Sequence, residues 1–261
     1  FKLLYEKGIA MKQKPFAMGV RIEHRQENID KAMYGDFAGH PKLGAADYKL
    51  SAHFEEGSAY TFCMCPGGYV VAAASEEGTV VTNGMSCFAR DAENANSALL
   101  VGIDCDKFGS EHPLAGVYMQ QKLERAAFEA GGGGYKAPCS TVGAFLKGEV
   151  PQRLGTVIPS YRPGFTLCRP EEYLPKFITD VLRKGIIEFG KKINGFDDED
   201  AVLTGVESRS SSPVRIMRGE DKQADGLAGL FPCGEGAGYA GGIVSAAVDG
   251  LRCAEAAIAY M

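Results

Sequence analysis

The stretch Tyr48-Lys49-Leu50-Ser51-Ala52-His53-Phe54-Glu55-Glu56-Gly57-Ser58-Ala59-Tyr60-Thr61-Phe62-Cys63-Met64 decides how the chain is to be read. Two runs, Tyr48–Phe54 and Ala59–Met64, are rich in aromatic, small and hydroxyl side chains and flank a Glu-Glu-Gly turn signal, which is the signature of a hairpin. The unit repeats downstream. Tyr69–Ser75 and Thr79–Gly84 flank Glu76-Glu77-Gly78. Four strand candidates without an intervening helix predict an antiparallel meander or small barrel-like sheet.

Outward from this core the pattern changes. Residues 1–8 read as the tail of a helix closed by Gly8, and Phe16–His24 as a strand with Val20 and Ile22 on one face. Gln26–Tyr34 reads as a short helix stopped by Gly35, and residues 35–46 as a loop. Asp91–Ala98 reads as the start of a helix and Leu99–Ile103 as a strand. Pro113–Ala130 is the clearest middle helix and ends in Gly131–Gly134. Pro170–Ile193 reads as a long helical stretch in two pieces around Gly185. Ala201–Glu207, Val214–Met217 and Leu227–Phe231 are strand candidates, and Gly242–Ala259 is a final helix. Strands and helices are segregated rather than alternating, so the predicted class is α+β.

Composition excludes several classes. The 261 residues are enough to bury a substantial core, and 45% apolar with 23% charged residues is ordinary for a folded chain, not a disordered one. A net charge of −5 with scattered Lys and Arg argues against nucleic acid as a partner, because phosphate contacts need a clustered basic surface. No apolar run reaches the roughly 18–20 residues of a membrane span, so no membrane partner is expected. The eight cysteines lack metal spacing and lie in a chain with no evident signal peptide, which predicts reduced thiols, a cytoplasmic setting and no metal site. Cys63-Met64-Cys65 reads as a turn with two buried thiols, with a redox pair as the sharper alternative. The 34 glycines are the oddity, against roughly 18 at average usage.

Two constellations can carry chemistry. In Leu230-Phe231-Pro232-Cys233-Gly234-Glu235-Gly236-Ala237-Gly238-Tyr239-Ala240-Gly241-Gly242-Ile243 a strand candidate runs through a glycine-dense loop into a helix start. Such a loop leaves backbone N–H groups open, and the helix start adds a partial positive charge. Gly236-x-Gly238-x-x-Gly241 matches the dinucleotide fingerprint. Only about 20 residues follow it, at which distance the fingerprint needs a second strand with an acidic residue, so it is not a complete mononucleotide-binding half. The competing reading is a tight turn with packing glycines. The second constellation, Ser208-Arg209-Ser210-Ser211-Ser212, sets hydroxyls beside a cation that can bind a carboxylate or phosphate; serines capping their own backbone are the alternative.

Four segments together resemble the bacterial FAD-dependent dehydrogenases of uncharacterised substrate, a branch of the two-dinucleotide-binding-domain flavoproteins. They are Pro15–His24, Thr61–Gly68, Thr204–Arg215 and Pro232–Ile243. In such proteins an amino-terminal Rossmann half binds the ADP part of FAD, a substrate domain is inserted, and the chain returns to finish the FAD domain. The resemblance therefore implies an inserted, mostly antiparallel substrate domain with flanking helices over 1–200 and a carboxy-terminal remnant of an FAD/NAD(P)-binding domain over 201–261. It implies FAD as the cofactor of the complete protein, with none expected on this chain alone, since the Rossmann half is not in the sequence. By the same resemblance Glu235 would bond the ribityl chain, and Gly236, Gly241, Gly242 and Ile243 would meet the flavin. Arg209, Ser210 and Ser211 would face the substrate, with Arg209 the candidate catalytic group. The implied partners are a small-molecule substrate and a nicotinamide or protein electron donor. The implied activity is that of an oxidoreductase fragment, inactive alone; a non-enzymatic ligand-binding or interaction module reusing the fold is the alternative. The apolar run of the final helix predicts self-association if its covering sheet is absent.

Overall fold

Strand β2 (Phe16–Arg25) is buried along almost its whole length, and the rest of the main sheet is built around it. The computed structural model describes all 261 residues. Helix α1 (Lys2–Glu6) and strand β1 (Met11–Gln13) precede β2, and α2 (Gln26–Tyr34) follows it, ending at Gly35. Then come β3 (Ser51–Phe54), β4 (Gly57–Cys65), β5 (Gly68–Ala72), β6 (Thr82–Ser86) and β7 (Asn94–Ile103). Helix α3 (Ala115–Ala130), β8 (Ala137–Thr141), α4 (Val142–Lys147) and β9 (Phe165–Leu167) lead to α5 (Lys176–Gly190). Strands β10 (Val202–Glu207) and β11 (Val214–Ile216) and helix α6 (Ile243–Tyr260) complete the chain.

Seven strands form one mixed sheet in the order β3-β4-β7-β2-β10-β8-β9. Its pairs β3/β4, β4/β7, β2/β10 and β10/β8 are antiparallel, and β8/β9 at the edge is parallel. Helix α5 lies on β3 and β4 and buries Ile178, Val181, Leu182, Ile186 and Phe189, the spacing of one helical face. Gly185 on that face admits β4, since a Cβ there would come within 2.7 Å of the Ala59 Cβ.

The expected mostly antiparallel sheet with flanking helices is present, with local differences. The predicted helix over Asp91–Ala98 is instead the first half of β7, where Asn94, Asn96 and Ser97 are buried. Each is held by a tertiary partner: Asn94 donates to Glu23 at 3.0 Å, Asn96 accepts from Arg21 at 3.2 Å, and Ser97 pairs with the Tyr48 hydroxyl at 2.9 Å. The predicted four-strand meander divides, because β5 and β6 pair only with each other in a separate two-stranded sheet. The long helical stretch is not broken at Gly185; a 3-10 turn at Pro170–Glu172 precedes one continuous helix. Leu227–Phe231 is not a strand. That segment is turns tied by the isolated bridges Arg218↔Ala224 and Ala224↔Leu227.

The chain forms two compact units that are each discontinuous in sequence. One comprises Phe1–Ala17, Ile103–Gln120 and Arg209–Met261, the other Met18–Gly102 and Gln121–Ser208. Strand β10 pairs on both edges inside the seven-stranded sheet of the larger unit. The amino-terminal residues likewise fold with the carboxy-terminal ones: β1 pairs antiparallel with β11, and Ile9, Met11, Leu114, Val214, Ile216 and Ala237 make a common core.

A fully buried arginine organises the larger unit. Arg21, on β2, donates from Nε and Nη2 to the two carboxylate oxygens of Glu207 at 3.1 and 2.9 Å. Its Nη1 reaches the Cys63 carbonyl at 2.8 Å and Asn96 Oδ1 at 3.2 Å, and Nη2 reaches Asn83 Oδ1 at 3.1 Å. Five N–H donors meet five acceptors drawn from β10, β4, β7 and β6. Gly84 makes room for this head group, since a Cβ there would lie 2.4 Å from Arg21 Nη1.

Close approach also fixes β2 against β7. A Cβ at Gly19 would lie 2.0 Å from the Leu99 carbonyl oxygen, so no side chain fits without parting the strands. Gly19→Ala is expected to destabilise the fold by roughly 1–3 kcal/mol, the usual cost of overpacking. Gly102→Ala, on the exposed end of β7 with nothing within 4 Å of the added methyl, is expected to change it by less than about 0.5 kcal/mol. Paired urea unfolding curves check this; equal midpoints for the two variants would show that the β2–β7 approach is not tight.

Candidate functional site

The glycine loop lies wholly in the smaller unit, between β11 and α6. Its backbone is a pair of interlocked turns: Gly238 N–H donates to Glu235 O at 2.9 Å and Tyr239 N–H to Gly234 O at 3.0 Å. Strand β11 clasps it, with Ile216 N–H donating to Ala237 O at 3.1 Å and the Tyr239 hydroxyl donating to Ile216 O at 2.8 Å.

The glycines fall into two kinds. Gly234 and Gly238 have φ of 73° and 87°, a left-handed conformation that costs other residues energy. At Gly238 a Cβ would also come within 2.5 Å of the Val214 carbonyl oxygen. The turn and its packing account for these two. Gly236 and Gly241 are different: both are exposed, and a Cβ on either would meet nothing within 4 Å. At Gly242 it would meet only Ser245 Oγ, at 3.9 Å. Neither packing nor positive φ demands glycine at these three positions. Gly242 is also the N-cap of α6 and supplies no side-chain cap, so the first-turn N–H groups of a four-to-five-turn helix have no side-chain acceptor there. Ile243, which opens that helix, is 92% exposed.

Two arginines that the sequence reading left without a role hold the loop. Arg218 forms a bidentate pair with Asp249 of α6 at 2.6 and 3.0 Å and also donates to Pro232 O at 2.6 Å. Asp249 accepts Gly234 N–H at 2.8 Å, so one carboxylate ties the loop's entry to the helix. The Arg218 hydrogen bond holds the Asp249 carboxyl below its ordinary range. The Arg218 guanidinium stacks over the Tyr239 ring at 3.5 Å, and that of Arg215 lies 5.2 Å from the same ring. Arg215 Nε donates to Gly238 O at 3.2 Å. Burial, then the charge of Arg215, pull the Lys14 ammonium below its usual range, while Glu235 acts in the opposite direction. Lys14, Arg215 and Glu235 thus share one electrostatic neighbourhood at the half-buried side of the loop.

The serine stretch meets the loop through a residue other than those expected. Ser212 Oγ lies 2.8 Å from Val214 O and 3.2 Å from Gly236 O. Ser210 donates to Ala17 O at 2.7 Å, a backbone latch; Ser211 is half-buried and Arg209 is exposed. Ser208 is buried and donates to Glu124 at 2.6 Å in the larger unit. Ser212 bonds the backbone of its own segment at Val214, whereas the Ser210 bond reaches a residue distant in the chain. Arg218 and Asp249 were invisible as a pair because 31 residues separate them from each other and 14 and 15 from the loop residues Pro232 and Gly234 that they bind.

Removing the Asp249 carboxylate leaves Arg218 without its partner and Gly234 N–H without an acceptor. Asp249→Ala is expected to cost about 1.5–3 kcal/mol and to speed hydrogen exchange at Gly234 and Tyr239 while leaving β2 and β10 amides unchanged. Exchange rates in the loop equal to the parent's would show that the turns stand without the α6 anchor.

No helix is long and apolar enough to cross a membrane. The family model described as "FAD-dependent protein, C-terminal domain-like" matches residues 15–210, a range that covers β2 to β10 and stops short of the glycine loop. An uncharacterised protein of Clostridium beijerinckii (strain ATCC 51743 / NCIMB 8052) is 51% identical over 257 residues, 98% of this chain and 48% of that protein. The chain thus spans about half the length of the curated relative it matches. With Arg21, Cys63, Asn96 and Glu207 all inside the matched range, the chain belongs to the FAD-dependent protein, C-terminal domain-like family.

Proposed function

We propose that this chain is the substrate-domain and carboxy-terminal portion of a FAD-dependent oxidoreductase, and that its glycine loop completes the cofactor site of the longer protein. The observation that carries this reading is the split among the loop glycines. Gly234 and Gly238 have structural reasons to be glycine, whereas Gly236, Gly241 and Gly242 leave open backbone around an uncapped helix start. Open amides at a helix N-terminus suit an electron-rich group, because the aligned peptide dipoles place partial positive charge there. The residues therefore fit a flavin.

In this reading Glu235 accepts a ribityl hydroxyl, and Gly236, Gly241, Gly242 and Ile243 present backbone to the cofactor. Bound FAD supplies two-electron transfer chemistry. Arg209, Ser210 and Ser211 face the substrate, with Arg209 pairing with an anionic group on it, and a nicotinamide or protein donor exchanges electrons with the site. Arg218 and Asp249 contribute by keeping the loop in place before any ligand arrives, so little ordering entropy is lost on binding.

The test uses the full-length polypeptide and reads flavin absorbance after gel filtration. Glu235→Ala, which removes a charged acceptor worth about 1.5–3 kcal/mol, is expected to weaken FAD binding roughly 10–100-fold. Gly241→Val is expected to do worse while folding normally, since open space receives the new side chain. Unchanged flavin retention in both variants would reduce the loop to a turn and remove the local basis of the assignment.

Helix α6 supports the same reading. Only Cys253 of its eighteen residues is buried, while Ile243, Val244, Val248, Leu251 and Ile258 are exposed, Leu251 and Ile258 by 67% and 69%. An apolar face of this kind is covered in a working protein, by the rest of a longer polypeptide or by a second copy. The 261-residue chain alone is expected to self-associate, and Leu251→Glu with Ile258→Glu to return it to monomer. Sedimentation velocity checks this; a monodisperse parent monomer at tens of micromolar would contradict it.

A further inference from the structure

The Cys63-Met64-Cys65 segment sits on a distortion of β4 that the flavin reading does not use. Phe62 pairs with Ala98 and Cys65 with Asn96, so three residues of β4 advance against two of β7 and the strand bulges between them. Within the bulge Cys63 takes φ of 46°, a left-handed conformation unusual for a residue with a side chain. The distortion turns the Cys63 carbonyl inward, where Arg21 Nη1 donates to it at 2.8 Å and the Cys65 thiol lies 3.3 Å away. The Cys63 side chain is left exposed and that of Cys65 buried.

The Cys65 thiol is a donor to the Cys63 carbonyl, so the two cysteines meet around the bulge beside the Arg21 guanidinium. The Cys65 thiol, and after it the charge and hydrogen bond of Arg21, outweigh burial and hold Cys63 down at about 6. The hydrogen bond to Cys63, with burial, pushes Cys65 far up. The exposed Cys63 sulfur is therefore the more readily ionised of the two, and the buried Cys65 thiol is the one that keeps its proton. Asn96, directly across the ladder from Cys65, keeps a buried Nδ2 with no partner. That group is a donor available to a sulfur anion formed beside it.

We propose that Cys63 and Cys65 form a dithiol–disulfide couple that reduces small organic disulfides, with Cys63 the attacking thiolate and Cys65 the resolving thiol. In the first step the Cys63 thiolate attacks one sulfur of R–S–S–R, a Cys63–S–S–R bond forms, and RS⁻ leaves. Cys63 then carries no negative charge, which removes the like charge that opposed ionisation of the neighbouring Cys65. Cys65 gives its proton to the departing RS⁻ and attacks the Cys63 sulfur, releasing the second thiolate, which takes a proton from solvent. The protein dithiol is oxidised by two electrons and the small disulfide is reduced to two thiols. Thiolate attack of this kind depends on ionised fraction and access, and Cys63 has both. The couple lies within the larger unit and does not rest on the flavin reading, so either stands if the other fails.

The experiment uses the reduced full polypeptide, oxidised glutathione as the probe, acid quenching and peptide mass mapping. The parent is expected to yield a Cys63–Cys65 peptide lighter by two hydrogens, at least 10-fold faster than the exposed Cys87 acquires glutathione. Cys65→Ser is expected to stop at a glutathione adduct on Cys63, and Cys63→Ser to leave Cys65 free. In the parent, iodoacetamide labelling of Cys63 should rise with pH around a midpoint near 6, against about 8.5 for an ordinary thiol. Four results would overturn the proposal: free thiols at both positions in the parent, a lasting adduct on parent Cys63, modification of Cys63 no faster than Cys87, or an ordinary labelling midpoint.

Discussion

A charged guanidinium with no access to water has to be matched donor for donor, and Arg21 imposes that requirement on the larger unit. Taking an ion pair out of water costs several kcal/mol per ion, recovered only when the geometry is good and every remaining donor is satisfied. Glu207 supplies two of the five acceptors, and Asn83, Asn96 and the Cys63 carbonyl supply the rest. The four residues that supply these acceptors lie on four different strands, so the arginine on β2 pins the relative positions of β2, β4, β6, β7 and β10. The bulge in β4 and the glycine at 84 are local departures from regular structure that make this possible. Burial raises the Glu207 carboxyl, and Arg21 works against that shift, as expected for a carboxylate held ionised by one close cation.

A second buried carboxylate follows the same logic nearby. Glu23, two residues further along β2, has no arginine fork. It accepts from Ser160 Oγ at 2.6 Å, from Ser160 N–H at 3.1 Å and from Asn94 at 3.0 Å, and burial still raises its carboxyl. Two ionisable groups on adjacent same-face positions of one strand mean that the middle of this sheet is a polar seam inside an apolar unit. A seam of that kind stabilises little against an apolar alternative, but it tolerates only the register in which its partners meet. The glycine loop of the smaller unit is built on the same device at smaller scale: the Arg218–Asp249 fork fixes the loop's entry.

Much of the fold was legible because it follows from local pattern. The alternation in Phe16–His24, the Glu-Glu-Gly turn between β3 and β4, the helix stop at Gly35 and the apolar face of α5 depend on residues within a few positions of each other. Strand β7 was not legible over its first half, because Asn94, Asn96 and Ser97 are buried by Glu23, Arg21 and Tyr48, which lie 49–75 residues away. The loop's glycine density was likewise visible, but not which glycines serve packing. Gly238 and Gly241 look alike in the sequence and differ in that Gly238 has a left-handed φ and stands against the Val214 carbonyl, whereas Gly241 has neither feature.

The sequence by itself determined most of the elements, though not the first half of β7 or the turns at Leu227–Phe231, together with the glycine loop ahead of the last helix and the family resemblance that implied a flavin, because each is a matter of residue kind and short spacing. Only the tertiary structure decided that residues 1–17 fold with residues 209–261, that β10 belongs to the large sheet, and that the Cys63 carbonyl meets a buried cation. The physical reason is the same in each case. Burial and charge pairing are set by groups distant in the chain, and a side chain's surroundings change with them: the same Cys-x-Cys reads as two equivalent thiols until a strand bulge leaves Cys63 exposed and Cys65 buried.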